Sequence, residues 1–126
     1  MKKIVFLCVE NSCRSQIAEA FANLHGSNKV LAFSAGSNPS GSVNPKAIKL
    51  MKELNYDLSK HESIHTDALP DVQIDKMVSM GCGDSCPTIR AKERIEWDIP
   101  DPKDMKEDEF RQVIKEIETK VLELLN

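Results

Sequence analysis

No run of apolar residues in this 126-residue chain approaches the length of a membrane span. Neither sign of charge dominates. Seventeen Lys and Arg against 20 Asp and Glu leave a net charge of −3, and no basic patch stands out, which argues against a nucleic-acid partner. There is no internal repeat, low-complexity segment or linker, so residues 1–126 read as a single domain. Chains of this size bury roughly two thirds of their unfolded surface, enough for a real core. No leader peptide is expected either. The start, MKKIVFLCVENSC, has a basic pair and a short apolar run, but Glu10 breaks the run and no small-residue cleavage pattern follows promptly. The expected location is the cytoplasm, where thiols are reduced at rest. Clustered cysteines there are more often catalytic or metal-binding than structural staples.

What is present alternates. KIVFLCV (3–9) is a continuous apolar run, the mark of a strand buried on both faces. From Ser15, the residues Ile17, Ala20, Phe21 and Leu24 fit one face of a helix that ends near Gly26. KVLAFSAG (29–36) reads as a second strand, and GSNPSGSVNP (36–45) as a turn-rich loop. Pro45, after Asn44, suits the first position of a helix with Ile48, Met51 and Leu54 on one face. DKMVSM (75–80) is a third strand and RIEW (94–97) a short fourth. A final helix runs from about Lys103 to Leu125, with Met105, Phe110, Val113, Ile114, Ile117, Val121 and Leu124 at helical spacing. The expectation is an α/β fold, a small four-stranded parallel sheet with helices on both faces and a phosphate-binding loop after the first strand.

In such sheets, ligands bind where strands end and helices begin. Cys8 stands at that point, and Cys8 and Arg14 bracket the loop as C-x5-R. Amides at a helix start cradle an anion, assisted by the helix dipole. Arg14 adds a planar fork that matches a tetrahedral oxyanion. The same positive surroundings favour the thiolate, which is the nucleophilic form of Cys8. The bland alternative is a buried cysteine followed by a surface arginine.

LCVENSCRSQIAEAF resembles the phosphate loop of the low-molecular-weight protein tyrosine phosphatases, and still more closely that of the arsenate reductases built on the same fold. The likeness extends through FSAGSNPSGSVNPKAIKLMKE and DIPDP, most of the chain. Asn11, Cys13, Arg14 and Ser15 match the family loop, whereas Glu10 stands where glycine is common and is expected to point outward. The resemblance implies that Val9, Glu10, Asn11, Ser12, Cys13, Arg14 and Ser15 bind the oxyanion. It also implies that Ser15 hydrogen-bonds Cys8, that Asn11 holds the loop, and that Cys13 is a packed thiol. Asp101, before Pro102, matches the general acid, with Asp98 as the fallback. Phosphatase and reductase share these parts, but a reductase needs two electrons from thiols. Cys82 and Cys86, in SMGCGDSCPT, follow the third strand, whose C-terminal end lies on the same sheet edge as Cys8. A nucleophile, relay and exit in Cys8, Cys82 and Cys86 is what arsenate reductases coupled to thioredoxin look like. Here only three residues separate the last two cysteines. The phosphatases carry aromatics after Asp-Pro to grip a tyrosyl group; this chain has Lys103 and Asp104, which disfavours an aryl substrate.

The expected ligands are arsenate, with phosphate or sulfate as analogues, and thioredoxin or a similar dithiol. A monomer is expected, with no cofactor, nucleic acid or membrane. In some reductases of this type the counterparts of Asn11, Glu19 and Ser34 take part in a potassium site; otherwise no metal is implied. His25, His61 and His65 show no partner pattern and read as surface or loop residues. Two rivals stay open. One is a phosphatase using Cys8 and Asp101. The other is an all-cysteine zinc module of Cys8, Cys13, Cys82 and Cys86, although Arg14 would then sit beside the cluster.

Overall fold

The computed structural model describes residues 1–81 and 89–126. Cys82 and Cys86 lie outside them. Four strands, β1 (Lys2–Cys8), β2 (Val30–Gly36), β3 (Ile74–Met80) and β4 (Ala91–Trp97), form one parallel sheet in the order β2-β1-β3-β4. Three α-helices, α1 (Arg14–Gly26), α2 (Pro45–Lys52) and α3 (Glu107–Leu125), complete it. The chain passes from β1 to one side and then returns to pair β3 on the other, so the sheet reverses its winding at β1. That reversal opens a crevice at the carboxyl ends of β1 and β3.

β1 is central and fully buried from Ile4 to Cys8, as its unbroken apolar run requires. Alternate residues serve two clusters. Ile4 and Phe6 join Val78, Met80 and the buried residues of α1, α2 and α3. Val5 and Leu7 join Ala35, Ile74 and Met77, packed against Ile64 and Leu69 from the connection that holds the 3-10 turn Thr66–Ala68. Helical cover is thus unequal, with the α-helices sharing one cluster and a short turn on the other side.

Several boundaries differ from the sequence reading. β4 begins at Ala91, three residues before the RIEW run, because Ala91 pairs with Ile74 and Glu93 with Lys76 through the backbone. An edge strand needs no apolar face at every position, so its polar start carries no hydrophobic signal. α3 begins at Glu107, since residues 103–106 form a turn closed by Met105 N–H to Pro102 C=O at 2.9 Å. Met105 packs on the core from that turn. Leu24 and Leu54 are 45% and 43% exposed. The buried stripe of α1 runs instead through Ile17, Ala18, Phe21 and Ala22 to Gly26, which faces Leu125. Among the described residues no helix is long and apolar enough to cross a membrane.

Candidate active site

The loop from Val9 to Cys13 is shaped from outside. Val9 C=O accepts from Asn38 N–H at 2.8 Å, Glu10 C=O from Ser40 N–H at 3.0 Å, and Ser12 C=O from Asn44 N–H at 3.0 Å. Asn11 C=O accepts from Gln16 Nε2 at 3.0 Å. A trans peptide carries its N–H opposite its C=O, so these bonds turn the N–H side of the same peptides inward. Asn11 holds φ 49°, a left-handed conformation that asparagine tolerates. Its side chain makes three hydrogen bonds: Nδ2 donates to Ser15 Oγ at 2.8 Å, and Oδ1 accepts from Gln16 Nε2 at 3.0 Å and Ile64 N–H at 2.9 Å.

The two helix starts contrast. Asn44 caps α2, its Oδ1 accepting from Lys46 N–H at 2.8 Å and Ala47 N–H at 3.2 Å. α1 has no side-chain cap and no acidic residue in its first turn. Its leading amides are left to another acceptor, and the partial positive end of the helix adjoins the loop.

Cys8, Val9, Glu10, Ser12, Cys13, Arg14, Gly81, Asp101 and Lys103 line a cleft of about 420 Å³. Cys8 Sγ lies 2.9 Å from Ser15 Oγ. That hydroxyl already accepts from Asn11, so its own proton is free to go to the sulfur. Arg14 is held by one arm, Nη1 donating to Ile99 C=O at 3.0 Å. Its Nη2 is 3.9 Å from Asp101 Oδ2, too long for a hydrogen bond, and so remains available to an oxyanion. Cys13 lines the same cleft. Burial first, and Asp101 nearby, push its thiol up to about 12, so it is neutral at physiological pH.

Asp101 lines the cleft, whereas Asp98 is exposed and does not. Glu10 does not simply point outward. It lines the cleft and pairs with Lys103 Nζ at 3.2 Å, so its charge is compensated. His61 also departs from expectation. Its Nδ1 is 2.9 Å from Gln16 Oε1 and its Nε2 2.6 Å from Tyr56 OH, a half-buried link rather than a surface ring. His25 pairs with Glu118, and His65 accepts from Asp67 N–H, both near the surface. Of the three residues a potassium site would use, Glu19 and Ser34 adjoin at 2.5 Å. Asn11 Oδ1, however, already accepts two N–H groups, as many as its lone pairs allow, so the trio does not fit a cation as a set.

Two glycines escaped the sequence reading. A Cβ at Gly36 would lie 2.4 Å from Val9 O, and one at Gly81, with φ +73°, 2.2 Å from Arg14 Nη1. Both glycines permit backbone and guanidinium to approach. Their only sequence signal is position, each following directly on or closing a strand that ends at the crevice.

The sequence matches the low molecular weight phosphotyrosine protein phosphatase family over residues 3–126. The chain belongs to that family. Within it, similar relatives are a glutaredoxin arsenate reductase of Synechocystis, 34% identical over 99% of this chain and 97% of that protein, and arsenate reductase 1 of Staphylococcus epidermidis, 40% identical over 95% and 92%. A solved structure described as an arsenate reductase in the phosphate binding state superposes with TM-score 0.88 at 32% identity, covering 99% of this chain and 97% of that one. Cys8, Arg14 and Asp101, the residues that the family resemblance singles out for the chemistry, all line the one cleft.

Proposed function

We propose that residues 1–126 act as one monomeric cytoplasmic domain that reduces arsenate to arsenite. Cys8 attacks arsenic(V), held by the loop amides and Arg14, and a sulfur–arsenic bond forms. Asp101 protonates the departing hydroxide, which leaves as water. Cys82 attacks the Cys8 sulfur. The sulfur–arsenic bond breaks with its electron pair going to arsenic, arsenite leaves, and a Cys8–Cys82 disulfide forms. Cys86 attacks Cys82, giving Cys82–Cys86 and freeing Cys8. An external dithiol protein then reduces that disulfide. Thioredoxin is the expected donor; the Synechocystis relative bears glutaredoxin in its name, so both belong in the assay. Phosphate competes weakly, having the same shape and charge.

The observation that carries the relay is Gly81. It lines the cleft with Cys8, its conformation accommodates the Arg14 guanidinium, and the next residue in the chain is Cys82. The deciding experiment treats each variant with one equivalent of arsenate and maps disulfides by mass spectrometry. Cys8→Ser should do nothing. Cys82→Ser should form no protein disulfide. Cys86→Ser should release arsenite once and stall with Cys8 bonded to Cys82. A Cys82→Ser protein that still turns over with thioredoxin or glutaredoxin would sink the relay and put the phosphatase reading first.

A further inference from the structure

The cleft has a buried floor and a charged mouth. Cys8 is 4% exposed, whereas the side chains of Glu10, Asp101 and Lys103 are 39%, 45% and 53% exposed. Lys103 Nζ lies 3.4 and 3.2 Å from the two carboxylate oxygens of Glu10, so this pair joins the phosphate loop to the β4–α3 connection across the mouth. The backbone N–H of the same lysine donates to Asp101 Oδ1 at 3.1 Å, which ties the bridge to the rim carboxylate. In-line attack by Cys8 places the leaving oxygen opposite the sulfur, toward that mouth. An inorganic oxyanion presents a hydroxyl there; a monoester presents carbon.

We propose that Glu10 and Lys103 form a specificity-determining bridge over the cleft, which accommodates an oxyanion whose outward group is a hydroxyl and obstructs one whose outward group is an aryl or alkyl ester. The hydroxyl finds a donor in Lys103 and an acceptor in Glu10. An aryl group finds neither and must break the ion pair to enter, and among the described residues no aromatic side chain lines the cleft to compensate. Discrimination of this kind works by penalising the wrong ligand as much as by favouring the right one. The hydrogen bond from Lys103 to Glu10 also raises the lysine above its ordinary range, so the lysine stays charged at neutral pH. This inference rests on the cleft being an oxyanion site, but not on the cysteine relay.

The test is calorimetric titration of the full chain with inorganic phosphate and with phenylphosphonate, which keeps the oxyanion but carries an aryl group and is not hydrolysed. Wild type, Glu10→Ala and Lys103→Ala are compared. Wild type should prefer phosphate, and each variant should narrow that preference by about tenfold, ~1.4 kcal/mol. General damage to the loop weakens both ligands together and leaves the ratio unmoved, so a ratio unchanged in either variant overturns the bridge. A wild type that binds neither ligand overturns both the bridge and the oxyanion reading. Phosphate binding and a shifted ratio without any arsenate turnover would support the bridge and remove only the reductase reading.

Discussion

Gly36 stands beside Cys8 in the β1–β2 register, and the phosphate loop folds back over it. A Cβ at this position would lie 2.4 Å from Val9 O, 2.9 Å from Asn11 N and 3.0 Å from Cys8 O. All three are backbone atoms, and ordinary contact begins at 3.4 Å, so a methyl group at residue 36 must push the loop by about 1 Å. The loop cannot yield cheaply, because Val9 O is already bound to Asn38 N–H and Asn11 is held on three sides. Overpacking of this sort costs about 1–3 kcal/mol. Set against a typical total of roughly 5–15 kcal/mol, Gly36→Ala should stay folded at room temperature, so its kinetics report on the site. A displacement near 1 Å at reacting groups costs about 10²-fold in rate. We therefore expect a lower urea midpoint at unchanged m-value, weaker phosphate binding, and arsenate kcat/KM down by about 10²-fold. The assays are urea unfolding, phosphate titration and arsenate-dependent oxidation of the dithiol donor. A variant with wild-type phosphate affinity and kcat/KM within a few-fold of wild type would refute the idea that Gly36 braces the loop.

Two further outcomes follow from the rim and from the buried network. Asp101→Asn should slow the first chemical step by about 10²–10⁴-fold with little change in phosphate affinity, while Asp98→Asn, exposed and off the cleft, should be near neutral; single-turnover kinetics that rank them the other way would move the acid by three residues. Burial lowers His61 from its ordinary 6.5 and raises Glu19, 3.6 Å away, from its ordinary 4.5, so each is driven toward its neutral form. The stability that neutral His61 contributes is present above about pH 6.5 and lost as pH falls through its lowered value; the Glu19 contribution is present below its ordinary value and lost as pH rises, so the two oppose. His61→Gln isolates the first. In urea unfolding, wild type should lose stability relative to this variant between pH 8 and pH 5, and a difference that does not change with pH would contradict the neutral histidine.

Period and punctuation in the chain sufficed for the sheet, its parallel sense and two of the three helices. An unbroken apolar strand, a Pro after Asn, and 3.6-residue spacing each answer to a local physical preference. The C-x5-R pattern at the end of the first strand marked Cys8 and Arg14, and family likeness in DIPDP added Asp101. The elements that were misread are those whose stability is not local. The polar start of β4 is held by backbone pairing to β3, and Met105 is buried from a turn rather than a helix. The same holds within the site. That Glu10 is neutralised by Lys103, 93 positions away, that His61 is wired through Gln16 to Asn11, and that Gly36 and Gly81 must lack side chains are all facts of contact between distant segments. A sequence states which groups exist and how they repeat. Which charge faces which, and where a methyl group would collide, is decided only when the strands are paired and the loops close over their ends.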